Sequence, residues 1–223
     1  MKSLIALFLA IALACTPALA MPRHPESTAQ RKAAHQIVFD VQHTDEDDTV
    51  EIGHGLCTAS AIGPHALLTA THCDAGQTTL SVDNSLTPIT IISRIADGAD
   101  HTIFLVNGPA FNDTMGQFYS TKGDKMGDRI FLYGDGGGMF PPQYRVGYRM
   151  GSIVMTTKEA PEGMPTGELW LFDVSIIGGD SGSAIYNEHG QLVTIVTYGM
   201  GDHYCGAYPL HFTQTQIDQA EQF

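Results

Sequence analysis

Leu67-Leu68-Thr69-Ala70-Thr71-His72-Cys73 decides how this chain is read. An apolar run with the character of a strand ends in small residues, and a histidine then stands beside a cysteine. A general base at the end of a strand, its backbone pinned by a disulfide, fits that pattern better than a lone core histidine does. Such a base acts on a nucleophile and needs an acid to set its tautomer, so both should occur elsewhere in the chain.

Gly178-Gly179-Asp180-Ser181-Gly182-Ser183 supplies the nucleophile. Glycines on either side let the backbone turn tightly and expose the Ser181 hydroxyl. The N–H groups of Gly179 and Ser181 could then converge on a developing oxyanion, an interaction commonly worth several kcal/mol of barrier.

Around these two anchors the chain is built of short runs rich in Val, Ile, Thr, Leu and Tyr, broken by Gly, Pro, Asn and Asp. Gln36 to Val41, Thr87 to Ile95, Thr102 to Val106, Arg129 to Tyr133, Val146 to Thr156, Glu168 to Val174, Ser183 to Tyr186 and Leu192 to Tyr198 are predicted strands. One helix is predicted over Thr213 to Phe223. Many short strands with frequent turns indicate an all-β sandwich or barrel. Asp135-Gly136-Gly137-Gly138 has neither a Gly-Lys-Ser/Thr nor a following helix, so it reads as a surface turn and not a phosphate cradle.

The first twenty residues have the pattern of a secretory signal peptide: Lys2, an apolar region from Leu4 to Ala14, and the small-x-small site Ala18-Leu19-Ala20. Cleavage near Ala20 implies a secreted protein, extracellular or periplasmic, of about 200 residues, the size of one large domain or two small barrels. No later stretch approaches the roughly 20 apolar residues of a membrane span. The formal charge of −13 argues against nucleic acid and anionic lipid as partners. Thr44-Asp45-Glu46-Asp47-Asp48 is an acidic loop without the spaced ligands and glycine of a calcium loop. Cys57 and Cys73 close two apolar runs joined by Gly63-Pro64-His65, a hairpin that could bring them together, and secretion makes a disulfide reasonable. Cys205 is left odd. A zinc site from Cys57, Cys73, Cys205 and His203 fits no usual ligand spacing, so no metal and no cofactor is expected.

Together, the His72 and Ser181 segments resemble the chymotrypsin-like (trypsin-fold) serine proteases, over the chain from about Gln36 to its end. Leu68-Thr69-Ala70-Thr71-His72-Cys73 is similar to that family's histidine signature, and Gly179-Asp180-Ser181-Gly182 to its serine signature. Ser183 in place of a second glycine resembles bacterial and viral members. The resemblance implies two six-stranded antiparallel β-barrels and a C-terminal helix, a first barrel at 36–118 and a second barrel with the helix at 119–223; they follow the leader at 1–20 and a polar N-terminal arm or short pro-segment at 21–35. It also implies the Cys57–Cys73 disulfide.

By the same resemblance, Asp100 leads into an apolar strand as the family's acid does; Asp97, which lacks that strand directly behind it, is the alternative. The implied activity is hydrolysis of protein or peptide substrates by His72, Asp100 and Ser181, with Gly179 and Ser181 as the oxyanion hole, in a monomer. Thr197-Tyr198-Gly199 resembles the strand that pairs with the substrate, and Ser175 stands where an acidic residue would select Arg or Lys. Two departures stand out. No Ile-Val-Gly-Gly occurs at a plausible new amino terminus to pair with Asp180, and the disulfide before the nucleophile is lost, with Ile177 in its place. An inactive homologue acting as a secreted binding module is therefore the rival reading.

Overall fold

The computed structural model describes residues 28–44, 50–115, 125–160, 164–201 and 203–223. The leader, the acidic loop beyond Thr44 and most of the expected junction between the barrels lie outside the described residues.

Six strands close a barrel: β1 (Ala34–Thr44), β2 (Val50–Gly63), β3 (Ala66–Ala70), β4 (Thr79–Val82), β5 (Ile89–Ala96) and β6 (His101–Asn107), in the order β1-β2-β3-β6-β5-β4. Every residue of β3 is buried, which is why its sequence is a continuous apolar run and not an alternating one. Ile37, Leu67, Leu68, Leu80, Ile103, Phe104 and Leu105 fill the barrel interior. Each such side chain contributes roughly 1.5–3 kcal/mol by leaving water.

The second half forms a seven-stranded sheet that curls into a half-barrel. Its strands are β7 (Arg129–Gly134), β8 (Gln143–Met155), β9 (Gly167–Asp173), β10 (Ala184–Asn187), β11 (Leu192–Ile195), β12 (Tyr198–Met200) and β13 (Tyr204–Ala207), in the order β11-β10-β7-β8-β9-β13-β12. The predicted run from Leu192 to Tyr198 is divided between β11 and β12. Val196 still donates to Ser183 O on the β10 side, whereas Thr197 donates to Gly206 O of β13, so the chain changes neighbours between them. Leu132, Leu169, Phe172, Ile185 and Val196 form the core here.

Two helices tie the halves together. α1 (Thr28–Ala33) lies within the segment read from sequence as an arm; its Gln30 Nε2 donates to Gly190 O at 2.9 Å and Ala33 is buried in the first-barrel core. α2 (Gln214–Gln222) starts on a capping box between Thr213 and Gln216. It returns from the second half to the first barrel, where a Cβ at Gly63 would overlap Ala220 O. Only glycine allows that approach.

Candidate active site

His72 follows β3 in a single 3-10 turn (Thr71–Cys73). The β3–β6 register ends on the pair Ala70↔His101, so the next residues outward are Thr71 on one strand and Asp100 on the other. Thr71 N–H donates to Asp100 O at 3.1 Å, and the Thr71 and Thr102 hydroxyls meet at 2.8 Å. Both Asp100 carboxylate oxygens then engage His72. Oδ1 accepts the backbone N–H at 3.0 Å, and Oδ2 lies 2.6 Å from Nδ1. The Asp100 side chain is 4% exposed and that of His72 37%, which leaves Nε2 as the ring nitrogen available for a proton.

Asp97 is occupied elsewhere. Its Oδ2 takes His101 Nδ1 at 2.7 Å and the backbone N–H of His211 at 2.8 Å, while Oδ1 accepts from Ala99 N–H. Burial alone would raise this carboxyl. The His101 hydrogen bond and charge, with the two backbone donors, together hold it below the usual carboxylate range. The two carboxylates, three residues apart, thus have separate jobs: one orients His72 and the other ties the approach to α2 against the first barrel.

Ser181 is half-buried in a turn pressed against the first barrel. A Cβ at Gly182, whose φ is +84°, would overlap Thr58 O and Thr69 Oγ1, so only glycine lets the turn seat on β2 and β3. Ser181 O accepts from Thr58 N–H at 2.8 Å. The Cys57–Cys73 disulfide is formed, and Cys73 Sγ stands 4.0 Å from the same Ser181 carbonyl. The strand end that carries His72 is therefore also the seat of the serine turn.

The turn's peptides are pinned one by one. Gly178 O accepts from Gly137 N–H at 2.7 Å, Asp180 N–H donates to Ile177 O at 3.0 Å, and Asp180 O accepts from Ser183 N–H at 2.9 Å. In a planar trans peptide the N–H points opposite its carbonyl. The N–H groups of Gly179 and Ser181 are thus aimed away from bound carbonyls, and among the described residues neither has an acceptor.

Asp180 is fully buried, and its carboxylate is saturated. Arg145 Nη1 of β8 pairs with Oδ2, which also accepts Ile177 N–H at 2.8 Å, and Oδ1 accepts Gly136 N–H at 2.9 Å. A Cβ at Gly134 or Gly136 would overlap this carboxylate. The Asp135–Gly138 stretch is the surface turn expected from its composition only in its second half: Gly137 and Gly138 are exposed, whereas Asp135 and Gly136 are buried beneath the serine turn. Neither Arg145 nor Thr58 was marked by a local sequence signal, since each acts across the fold.

Ser175 is exposed in the segment after β9. Thr197 is buried and turns its hydroxyl to Gly206 O at 3.2 Å, into the sheet and not toward a ligand. Tyr198 and Gly199 belong to β12, which ends the sheet and so presents an edge that no strand among the described residues pairs. Tyr198 and Met200 line a pocket of about 570 Å³ with Met150, Leu171 and Tyr204. Gly199 faces the other way, toward Ile176, whose Cδ1 would lie 3.6 Å from a Cβ there. Cys205, paired across from Gly199, is a buried free thiol pushed up to about 12 by burial and then by the Asp180 charge. Among the described residues no group of three or more His, Cys, Asp or Glu could hold a metal ion, and no helix is long and apolar enough to cross a membrane.

Solved proteases share this architecture. Rv3671c from M. tuberculosis H37Rv, in an inactive mutant form, matches with a TM-score of 0.62 at 16% identity, over 86% of this chain and 88% of that one. The HtrA-type protease AlgW, in a variant form with a decapeptide, matches with a TM-score of 0.66 at 15% identity, over 81% of this chain and 61% of that one. This chain has the trypsin-like double-barrel fold. No protein-family model and no curated protein matches its sequence. At these identities the likeness speaks for the fold alone, and the chemistry rests on the residues.

Proposed function

We propose that this chain is a secreted serine endopeptidase in which His72, Asp100 and Ser181 act as one triad. The observation that carries the reading is the 2.6 Å bond between Asp100 Oδ2 and His72 Nδ1, at the strand end on which the Ser181 turn is seated. In this reading Nε2 of His72 takes the Ser181 proton as Oγ attacks the scissile carbonyl, and Asp100 stabilises the imidazolium. The N–H groups of Gly179 and Ser181 receive the oxyanion. The imidazolium then protonates the leaving amine, and a water, deprotonated by the same nitrogen, releases the acyl group from Oγ.

An extended peptide adding to the β12 edge is the substrate mode that suits an unpaired strand beside the nucleophile. The solved AlgW structures, which hold a decapeptide or a tripeptide, lend this analogy. The leader pattern and a formed disulfide agree with an oxidising compartment outside the cytosol. We take 36–118 and 119–223 as the two barrel units. The rival reading, an inactive binding module, draws its support from the absence of an activating amino terminus; the Arg145 pair, which gives Asp180 a partner inside the chain, supports the peptidase reading.

The test is labelling of the purified, leader-free protein with a fluorophosphonate probe, located by mass spectrometry. Such a probe reacts with a serine activated by its base and oxyanion hole. Modification confined to Ser181, and absent in Ser181→Ala, is the expected result. Folded protein that stays unlabelled and cleaves no peptide library would return the reading to the binding module.

A further inference from the structure

Thr58 follows Cys57 in β2 and is wholly buried. All of its polar atoms engage the serine turn or the supports of that turn. Its N–H donates to Ser181 O at 2.8 Å, and its Oγ1 donates to Gly179 O at 2.8 Å while accepting from Asp135 N–H at 3.0 Å. Its carbonyl accepts from Thr69 Oγ1 at 2.8 Å. One residue of the first barrel therefore grips the carbonyls on both sides of the Asp180-Ser181 step.

We infer that the Thr58 hydroxyl is a positioning group that holds Gly179 in its oxyanion-binding conformation; the inference rests on the peptidase reading above. Gly179 has φ +101° and no side chain, so its backbone has other conformations within easy reach. Two bonds stop it from leaving this one: Thr58 Oγ1 on its carbonyl, and Ile177 O on the N–H of the same peptide. Without the hydroxyl, Gly179 O becomes a buried acceptor lacking its partner, and buried carbonyls are strongly driven to find one. The glycine turn shifts to satisfy it, carrying the Gly179 N–H away from the reacting carbonyl. Thr58 touches no substrate. Because the oxyanion exists only as the bond is made, the loss falls on kcat and spares KM.

The test compares Thr58→Ser with Thr58→Ala, which both lack the methyl group and differ only in the hydroxyl. Thr58→Ser should keep kcat within about threefold of wild type, whereas Thr58→Ala should lose about 10- to 100-fold at nearly unchanged KM, less than the roughly 10²–10³ of a deleted oxyanion donor because the Gly179 N–H is displaced and not removed. Fluorophosphonate labelling of Ser181 should slow in the same proportion. Thr58→Val, which fills the site without the hydroxyl, should match Ala, and circular dichroism and melting establish that each variant is folded. Active wild type with equal kcat in the Ser, Ala and Val variants overturns the inference alone, as does a loss expressed in KM. Wild type inert to probe and peptides overturns the peptidase reading and the inference with it.

Discussion

Arg145 pairs through its guanidinium with the buried carboxylate of Asp180, the residue immediately before Ser181, across 35 positions of sequence. The carboxylate is further held by the N–H groups of Gly136 and Ile177, so it is fully partnered by groups internal to the chain. The serine turn is therefore tied to β8 by an ion pair internal to the chain.

Removing one partner of a buried pair leaves an uncompensated charge, at a cost of roughly 3–5 kcal/mol. Arg145→Met should show that loss in urea denaturation, together with slowed labelling of Ser181. A preparation whose amino terminus has been acetylated should label as fast as the unmodified protein. Slower labelling after acetylation would mean that an amino terminus contributes after all.

Asp100→Asn should leave the fold intact and lower kcat by about 10⁴-fold, because the amide presents the wrong tautomer to His72. Asp97→Asn, three residues away, should instead lower the melting temperature and change kcat little. A reversal of these two patterns would transfer the acid role to Asp97.

Asp135 is completely buried and neither carboxylate oxygen has a hydrogen-bond partner among the described residues. Burial, then the charges of Asp83 and Asp180, raise it from 3.8 to about 7, against opposing contributions from His35 and Arg145. A raised carboxyl means that the folded state keeps a proton the unfolded chain gives up. Its contribution to stability is thus fully present below about pH 3.8 and is lost as pH rises to about 7. Asp135→Asn, neutral throughout, should flatten that slope and gain up to about 4 kcal/mol at pH 8. Urea titrations of both proteins between about pH 4 and pH 8, which bracket the unfolded and folded values of Asp135, would show it, and parallel slopes would refute it.

The Cys57–Cys73 bridge spans 16 residues of sequence. Loops of that size constrain the unfolded chain by about 3 kcal/mol. The double variant Cys57→Ala with Cys73→Ala should lose about that much in urea. It should also label more slowly, because the bridge pins the residue next to His72.

Ile176 reaches toward Gly199 on the face of β12 opposite the Tyr198 and Met200 side chains. Ile176 Cδ1 would lie 3.6 Å from a Cβ at Gly199, so an apolar side chain bounds that face of β12. Peptide-library profiling should therefore favour small apolar residues before the cut, and Ile176→Ala should admit larger ones. A preference for Arg or Lys would contradict this.

Local sequence carried much of this. The alternation and turn residues marked most of the strands, and the capped helix at the end was legible because its signals lie within a few residues of one another. His72 and Ser181 stood out because a histidine beside a cysteine after an apolar strand, and a serine between glycines, are patterns of adjacent residues. What the sequence alone did not reveal are relationships between distant positions. Residues 28–33 read as a polar arm, yet Ala33 is buried because β1 carries it onto the barrel. Asp135 and Gly136 read as surface, yet the serine turn covers them. Nothing adjacent in the chain points Arg145 to Asp180 or Thr58 to Gly179, and their roles come from the fold that sets them against those residues. The sequence by itself determined an all-β chain with a histidine and a serine, the candidate base and nucleophile, in order. The tertiary structure decided what holds them, because a buried carboxylate or carbonyl takes its partner from whatever the fold brings near.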